Sequence, residues 1–472
     1  MVSVAPLASS RSQQQALLPE KFSTRSLVVC VLAALAGLMF GLDIGVISGA
    51  LDFIGKTFGA STRTQEWIVS SMMAGAAVGA VLAAPLSLRL GRRWSLIIAA
   101  AMFIVGSLLC ALAPSVATLI FGRVVLGLAI GIAAFVAPLY LSEIAAQEVR
   151  GAMISLYQLM ITIGIFVAFV SDSLLSYSGN WRLMLGIIAI PGIIFLAGMF
   201  FVPDSPRWLM LRGRTDEARR VLAELGHDKP HADREIAEIE EQLRVKQQGF
   251  PMFRDNPNFR RSVLLGVGLQ IVQQLTGINV LMYYAPKIFA GAGFGVHAAS
   301  WATAVVGATN VLATFIAIAF VDRWGRKPIL ITSFVIMAIG MALVGTLLGI
   351  GVHGATMQTV VAGMLLVFIV GFAMGAGPLV WILCAEVQPL QGRDFGIACS
   401  TFTNWAANWL VGNTFLTLLA TLGQGGTFWL FALLNLLFIP FVLFFVPETK
   451  GVSLESIERR LLSGEKLRSI GR

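Results

Sequence analysis

The sequence predicts an all-α membrane protein with twelve transmembrane helices in two six-helix bundles and a cytoplasmic helical loop. First, 57% of its 472 residues are hydrophobic, only 12% are charged, and the mean hydropathy is +0.82, outside the usual range of soluble globular proteins. Second, the apolar runs are long and continuous, whereas the strands of a membrane barrel would alternate over about ten residues. Third, three pairs of similar motifs recur at nearly one spacing, which indicates two related halves.

Twelve apolar runs are long enough to cross a membrane as helices, and a charged segment separates the first six from the last six. The predicted spans are residues 27–51, 66–88, 94–113, 118–141, 154–175, 182–202, 262–290, 299–321, 328–350, 358–385, 395–420 and 427–446. The predicted domains are an N-terminal tail (1–26), an N-terminal bundle (27–202), a linker (203–261), a C-terminal bundle (262–446) and a C-terminal tail (447–472).

The distribution of basic residues predicts the topology. With these spans, 29 of the 34 Lys and Arg residues fall on the side of the two termini and the linker. By the positive-inside rule, both termini and the linker are expected in the cytoplasm. The net charge of +9 is therefore a topology signal, and no nucleic-acid partner is expected. Arg11, Lys21 and Arg25 precede an apolar run too long for a signal peptide, so we expect no cleaved signal.

The linker differs from the spans in composition, because it contains twelve of the Lys and Arg residues together with several acids. Thr215–Leu225 and Asp233–Lys246 are predicted to form short amphipathic helices, the first capped by Thr215.

No metal site or other cofactor is expected, because the four cysteines lack paired spacing and the four histidines are scattered.

An acid lies deep in the first span. Asp43 occurs among Gly41, Gly45 and Gly49, whose spacing of four residues lets another helix approach closely. An ionisable side chain at this depth is a functional hypothesis by default, and a satisfied structural carboxyl is the alternative. Arg123 in the fourth span is the expected partner, because both residues fall in the outer half of their helices at about 1.5 Å per residue.

A polar stretch interrupts the seventh span. It contains Gln273, Gln274, Asn279 and Tyr283, and unpaired polar groups are costly in hydrocarbon, so these side chains are expected to face a cavity. Gly277 and Asn279 are expected to break the helix, as in the discontinuous helices that line membrane binding sites. We predict that the stretch binds a neutral polyhydroxy solute. The alternative is that the amides join helices by interhelical hydrogen bonds.

Three motif pairs indicate an internal duplication into two six-helix halves with the same orientation. Their offsets are 234, 243 and 244 residues. The pairs are L-S-L-R-L-G-R-R (86–93) with F-V-D-R-W-G-R-K (320–327), S-E-I-A-A-Q-E-V-R-G (142–151) with A-E-V-Q-P-L-Q-G-R-D (385–394), and F-V-P-D-S (201–205) with F-V-P-E-T (445–449).

Four signatures carry a resemblance to a known family: P-D-S-P-R-W-L (203–209), Q-Q-L-T-G-I-N (273–279), V-P-E-T-K-G (446–451) and the two G-R-[RK] loops. With these signatures the chain resembles the sugar porters of the major facilitator superfamily, most closely the bacterial arabinose–proton and galactose–proton symporters. The resemblance implies the major facilitator fold and a monomeric, multi-pass protein of the bacterial cytoplasmic (inner) membrane.

The resemblance also implies roles for individual residues. Asp43 would carry the proton beside Arg123. Amides would supply donors and acceptors to sugar hydroxyls, and indole faces would stack on the apolar faces of the ring. The residues implied to bind the sugar are Gln158, Gln273, Gln274, Asn279, Tyr283, Asn310, Trp381, Asn404 and Trp405.

Charged residues at the cytoplasmic ends of the spans are predicted to form a gate that closes in the outward-facing state, although each could be an ordinary topology charge. Leu88 stands where the family's loop motif has Asp, whereas the second copy keeps the acid. Asn404 stands where xylose-type carriers have Gln, which favours the arabinose or galactose subgroup without choosing between them. The predicted gate residues are Arg93, Glu143, Arg150, Asp322, Arg326, Glu386 and Arg393.

The predicted function is proton-coupled import of a neutral monosaccharide by alternating access, with sugar, proton and lipid bilayer as partners and no enzymatic activity. Asp43 argues against the alternative of a uniporter, since facilitators that resemble these symporters have Asn there. A transporter-like sensor would carry a long signalling tail, and only about 25 residues follow Pro447. A nucleotide site at Lys56 and Thr57 is disfavoured, because Ala50 replaces the glycine that a phosphate-binding loop requires.

Overall fold

The computed structural model describes residues 23–145, 149–226, 228–244 and 248–471. Within these ranges it does not describe the side chains of residues 150, 242, 244 and 317–323. Residues 1–22 of the predicted N-terminal tail lie outside the described ranges.

Seven helices form the first half of the chain. Each of the first five predicted spans is a single helix, and the sixth is divided in two by residues 187–188. The helices are α1 (Thr24–Phe58), α2 (Thr62–Leu90), α3 (Arg92–Ala111), α4 (Val116–Ile144), α5 (Arg150–Leu175), α6 (Trp181–Gly186) and α7 (Ala189–Phe200).

Serine side chains cap three of these helices. Ser23, Ser61 and Ser115 precede α1, α2 and α4, and each accepts a hydrogen bond from the backbone N–H three residues further on. Such a bond satisfies one of the donors that a helix leaves unpaired at its start. The end of α1 is marked by Gly59, whose φ of 59° is readily available only to glycine. The sequence therefore specifies a sharp turn between α1 and α2.

Four short helices form the linker. The helix predicted over Thr215–Leu225 is present with those bounds, and the next begins four residues before the predicted start. The predicted cap at Thr215 is wrong, because Thr215 is the first helical residue and Arg214 before it makes no capping hydrogen bond. The helices are α8 (Pro206–Leu211), α9 (Thr215–Leu225), α10 (Lys229–Arg244) and α11 (Gly249–Asp255).

Eight α-helices form the second half. The predicted seventh span is divided at Gly277, and the tenth contains a π-helical turn at Phe372–Ala376 that was not expected. The eleventh span, expected to reach residue 420, is interrupted after Gly412; helix resumes at Phe415, and Gly423, with φ 70° and ψ 172°, kinks it before the twelfth span. The helices are α12 (Pro257–Leu275), α13 (Ile278–Gly291), α14 (Val296–Trp324), α15 (Arg326–Ile350), α16 (Gly354–Gly371), α17 (Gly377–Glu386), α18 (Arg393–Gly412) and α19 (Phe415–Phe445).

A further helix, α20 (Leu454–Leu462), and a 3₁₀ turn at Leu467–Ser469 fold the C-terminal tail against the second half. Eleven helical segments in the described part of the chain are long and apolar enough to cross a membrane. The polar helix α18, with Asn404 and Asn408 buried inside the protein, adds the twelfth. The chain is therefore an all-helical, multi-pass membrane protein, as predicted.

The helices pack in the same way within each half and meet across the centre. In the first half, α1 packs on α5 and α3 on α7, and the equivalent pairs in the second half are α12 on α18 and α15 on α19. Between the halves, α5 contacts α14, α2 contacts α18, and α1 contacts α13. We call the end of the bundle where α1 begins and α19 ends the terminal end, and the opposite end, where α1 turns into α2, the far end.

Glycines bring the paired helices of the first half into backbone contact. A Cβ atom on Gly41 of α1 would lie 2.0 Å from the Ile161 carbonyl oxygen of α5, and one on Gly127 of α4 would lie 1.9 Å from the Met72 carbonyl oxygen of α2. Real Cβ atoms do not approach oxygen so closely. The small-residue spacing noticed in the first span therefore serves tight packing between α1 and α5.

We expect Gly41→Ala to lower the free energy of unfolding by about 1–3 kcal/mol, because the added methyl group overpacks the α1–α5 contact. Gly363→Ala in α16 is the matched control, since no atom lies within 4 Å of the position that its Cβ would take. Thermal unfolding of both variants in detergent measures the difference. Equal midpoints for the two variants would show that α1 and α5 can move apart without loss.

Candidate functional site

A buried ion pair joins α1 to α4. Arg123 Nη1 donates a hydrogen bond to Asp43 Oδ1 at 2.6 Å, and both side chains have an exposed fraction of 0%. Among the described residues, Asp43 Oδ2 and the Arg123 Nε and Nη2 atoms have no hydrogen-bond partner. A buried ion pair is stable only when the two opposite charges are in contact and most of the remaining donors and acceptors have hydrogen-bond partners. This pair is matched in charge but keeps unused donors and an unused acceptor.

An amide cluster joins α12 to α18. Asn404 Nδ2 donates to Gln270 Oε1 at 2.6 Å and to Gln273 Oε1 at 2.9 Å. All three side chains are buried. Gln270 was not among the predicted site residues, although it begins the polar stretch of the seventh span. The cluster holds the first part of that stretch against the eleventh span.

The helix break lies between the two parts of the polar stretch. Gly277 has φ 92° and ψ 7°, in the left-handed region that favours glycine. Across this break, Asn279 Nδ2 donates to Gln274 Oε1. The turn therefore brings a predicted pair of sugar-binding amides from α12 and α13 together at one point in the membrane.

The π-helical turn of the tenth span provides an acceptor site for the amide cluster. Gln273 Nε2 donates to the Ala376 and Gly377 carbonyl oxygens at 2.8 and 3.0 Å. Ser333 Oγ of α15 accepts from Ala376 N and donates to Gly371 O. A π turn leaves carbonyl groups without their usual helical partners, and these side chains occupy them.

The other predicted sugar residues differ in their surroundings. Tyr283 is fully buried, and its hydroxyl accepts a hydrogen bond from Asn408 Nδ2 at 3.2 Å. Trp405 is buried, with its ring centroid 5.4 Å from that of Phe40 in α1. The remaining three are Asn310, buried in α14, and Gln158 and Trp381, which are exposed.

Helix α1 connects the ion pair to the amide-rich region. Phe40 and Asp43 lie three residues apart on α1, one against Trp405 and the other against Arg123. Helix α13, which carries Tyr283, also packs on α1. A shift of α1 or α13 therefore changes the surroundings of both groups.

Two equivalent networks lie at the terminal end, one in each half. Arg92 Nη2 lies 2.7 Å from Glu143 Oε1, and Glu143 also accepts from Ser205 Oγ. In the second half, Arg326 Nη2 lies 3.3 Å from Glu386 Oε1, and Glu386 accepts from Thr449 Oγ1. The motif pairs of the sequence place these residues in equivalent positions.

The charged partner of Glu143 was not predicted. Arg92 makes the ion pair, whereas Arg93, which was named instead, donates to the Met199 and Phe200 carbonyl oxygens. The signal was present in the sequence, because the aligned loops place Arg92 over Arg326. Burial raises the pKa of the neighbouring Asp204, and the guanidinium groups of Arg93 and Arg214 oppose that rise.

Among the residues whose side chains are described, the predicted gate residue Arg393 makes no ion pair. Arg393 Nη2 lies 3.5 Å from the Gln388 carbonyl oxygen in the same half. The side chains of Arg150 and Asp322 lie outside the described part of the structure.

The far end contains a polar contact between the halves that the sequence did not reveal. Glu66 of α2 is fully buried and accepts hydrogen bonds from the Thr417 backbone N–H and hydroxyl group of α19. Arg63 Nη1 donates to both Glu66 Oε2 and the Asn413 carbonyl oxygen. Lys287 of α13 forms an ion pair with Asp52 of α1. These contacts hold the two halves together at this end.

A second buried acid lies in the membrane region. Asp172 of α5 accepts a hydrogen bond from the Gly49 backbone N–H at 3.0 Å, and its other oxygen has no partner among the described residues. The sequence shows this acid inside the fifth span, and it was overlooked. It adds a polar contact to the glycine-mediated packing of α1 on α5.

Comparisons with known proteins define the family. The family model described as "Sugar (and other) transporter" matches residues 29–461. A galactose-proton symporter of Escherichia coli (strain K12) is 60% identical over 444 residues, which cover 94% of this chain and 96% of that protein. An arabinose-proton symporter of the same strain is 52% identical over 450 residues, covering 94% of this chain and 95% of that protein.

Solved structures of the xylose transporter XylE from E. coli share the fold. Its inward open conformation matches with a TM-score of 0.81 at 29% identity, covering 95% of this chain and 100% of that one. The same symporter bound to 6-bromo-6-deoxy-D-glucose matches with a TM-score of 0.78 at 30% identity, covering 96% and 100%. The chain belongs to the sugar transporter family of the major facilitator superfamily, with its twelve-helix fold. It is a transporter and not an enzyme, as predicted.

We expect Glu143→Ala to lower the free energy of unfolding by about 3–5 kcal/mol, because it leaves the buried Arg92 charge unpaired. The equivalent Glu386→Ala should cost less, since the Arg326 and Glu386 side chains are 14% and 21% exposed, against 5% and 4% for Arg92 and Glu143. Unfolding of both variants in detergent measures the two losses. A larger loss for Glu386→Ala would contradict the assignment of cost to burial.

Proposed function

We propose that the protein imports a monosaccharide of the galactose or arabinose class together with a proton, by alternating access across the bacterial inner membrane. The observation that carries the proposal is the buried Asp43–Arg123 pair, connected through α1 to an amide-rich region on α12, α13 and α18. The similar proteins include a galactose-proton and an arabinose-proton symporter, which supports both the substrate class and the coupling ion.

In the proposed orientation, the terminal end, the linker and both termini lie in the cytoplasm, and the far end faces outward. The excess of Lys and Arg residues at the terminal end supports this orientation. The proposed working unit is a monomer in the lipid bilayer, with the predicted domain boundaries at residues 26, 202, 261 and 446.

Sugar recognition is proposed to use paired amides and an indole. The amides of Gln273, Gln274, Asn279 and Asn404 already bond to one another and to backbone carbonyls, so a sugar exchanges these bonds for bonds to its hydroxyl groups. Each amide can donate and accept at once, which suits a hydroxyl group. Trp405 supplies the apolar face for the ring.

Proton coupling is proposed to depend on the separation of Asp43 and Arg123. When the guanidinium group is in contact, the carboxylate form is favoured and the proton is released. When the two side chains separate, the desolvated carboxylate takes up a proton. Sugar binding at Trp405 acts on Phe40, three residues from the acid, and any coupling of sugar affinity to proton affinity is reciprocal.

The conformation described here is proposed to be the inward-facing one. The contacts of Glu66, Arg63 and Lys287 close the far end between the halves. At the terminal end, the ion pairs Arg92–Glu143 and Arg326–Glu386 lie within each half. The similarity to the inward open structure of XylE supports this assignment. The predicted gate residues, including Arg150, Asp322 and Arg393, are proposed to join the halves when the terminal end closes.

We expect Asp43→Asn to abolish accumulation of sugar driven by a pH gradient while sugar binding persists, because the amide is close to the carboxyl in shape but cannot carry a proton. Labelled galactose uptake into proteoliposomes with an imposed pH difference measures accumulation, and exchange at equal pH measures binding and translocation. Asp172→Asn is the control, a second buried acid in the same bundle.

If Asp43→Asn vesicles concentrate sugar and Asp172→Asn vesicles do not, the proton carrier is Asp172 and the central assignment is wrong. Sugar-dependent alkalinisation of a weakly buffered suspension separates symport from uniport, since a uniporter moves no proton.

We expect Gln274→Ala and Asn279→Ala each to weaken sugar binding by about 1–3 kcal/mol, the cost of leaving a buried hydrogen-bonding group unpaired. Competition of D-galactose, L-arabinose, D-glucose, D-xylose and D-fucose against labelled uptake gives the affinities and identifies the preferred sugar. Unchanged affinity for every sugar in both variants would assign these amides to helix packing alone.

A further inference from the structure

A groove of about 630 Å³ lies at the terminal end, between α12, α19 and the C-terminal tail. One wall is apolar and consists of the first turns of α12 and the last turn of α19, including Leu264, Phe441, Phe444 and Phe445. Leu264, Phe444 and Phe445 are 61%, 62% and 51% exposed. Side chains of this kind at the end of a membrane-crossing helix are suited to contact with acyl chains.

Cations form the other wall. Arg261, Lys466 and Arg468 line the groove, and no acidic side chain does so in the described part of the chain. Lys466 and Arg468 are exposed and make no ion pair with any residue that the structure describes. Three positive charges beside an apolar surface are complementary to a molecule with an anionic head and a hydrocarbon tail.

The tail that carries two of these cations is held in place on both sides. On the N-terminal side of Lys466, Arg261 Nη2 donates to the Glu465 carbonyl oxygen at 2.8 Å, and Asn258 Nδ2 donates to the Leu462 carbonyl oxygen at 3.1 Å. After them, Ile470 is buried in an apolar cluster with Ile457 and Leu461. The cations are therefore presented at a fixed position relative to α12, and ordering them costs little entropy on binding.

We propose that this groove binds an anionic phospholipid of the inner leaflet, with its phosphate at Lys466 and Arg468 and its acyl chains along Phe444 and Phe445. Basic pockets at the cytoplasmic ends of transmembrane helices suit such headgroups. The choice of leaflet rests on the proposed orientation of the chain. Binding of the lipid itself depends only on the groove, and it is measurable without sugar or a proton gradient.

The test uses the full-length protein, delipidated in detergent and incubated with equal amounts of dioleoylphosphatidylglycerol and dioleoylphosphatidylcholine. Native mass spectrometry counts the lipids that stay bound. We expect preferential retention of the anionic lipid, and its apparent affinity should fall about tenfold or more in the double variant K466Q/R468Q, since each cation near the surface contributes to attraction of acidic lipid.

Two further variants separate charge at the groove from charge in general. R220Q/R234Q removes two exposed cations from the linker and should bind the anionic lipid as the wild type does. K466R/R468K keeps the charge and should also bind normally, which assigns the loss to the charge and not to the identity of the two side chains.

Three results would overturn the proposal. These are equal retention of the two lipids by the wild type, equal weakening in K466Q/R468Q and R220Q/R234Q, and complete displacement of the anionic lipid by an equal concentration of sodium phosphate. The last result would identify a site for the phosphate ion alone. Failure of this test leaves sugar uptake by the wild type unaffected, so it can be distinguished from failure of the proposed transport function.

Discussion

A carboxylate and a guanidinium group that are fully removed from water must stay in contact or change their charge. Asp43 and Arg123 satisfy this constraint with a single hydrogen bond, and the rest of the first half is built to keep them there. The backbone contact of Gly41 with α5 fixes α1, and that of Gly127 with α2 fixes α4. Among the described residues, three polar atoms of the pair have no hydrogen-bond partner. The contact is therefore stabilised by its charges but costs less to separate than a fully hydrogen-bonded ion pair. Separation of the pair is easiest when a proton neutralises the acid.

The duplication gives the molecule two bundles with equivalent polar networks at the terminal end. In each bundle, a glutamate at the terminal end pairs with an arginine and accepts a hydrogen bond from a hydroxyl group. The residues are Arg92, Glu143 and Ser205 in the first half and Arg326, Glu386 and Thr449 in the second. The first network is more deeply buried than the second, so the two networks are equivalent in position but differ in burial.

The sequence predicted the fold well because hydropathy and charge bias act locally along the chain. The twelve-helix fold and the break at Gly277 are confirmed, because a run of apolar residues or a single glycine determines the conformation of its own stretch of chain. The π-helical turn at Phe372–Ala376 could not be predicted this way, because the carbonyls that it frees are stabilised by Gln273 and Ser333 from distant spans. The interruption of the eleventh span after Gly412 was not predicted either, and there Asn413 accepts hydrogen bonds from Arg63 and Ser70 of the first half.

Site residues were predictable where the resemblance or an unusual polar residue marked them, as for Asp43 and Gln273. They were missed where function depends on which of two neighbours points inward, as for Arg92 and Arg93. Glu66 was missed because its partner Thr417 is far away in the sequence and neither residue is unusual near a helix end.

The contacts between the halves at the far end include a partly exposed ion pair, which salt can screen, and a buried carboxylate, which salt does not reach. The side chains of Lys287 and Asp52 are 25% and 42% exposed, and in about 1 M salt the Debye length falls to about 3 Å, so their attraction weakens in a saline medium. Glu66 is fully buried, and its bonds to Thr417 are insensitive to screening. In the proposed orientation both face the surroundings of the cell. The ionic strength outside the cell therefore acts on the balance between the two proposed conformations, and higher salt shifts that balance toward the one that opens outward.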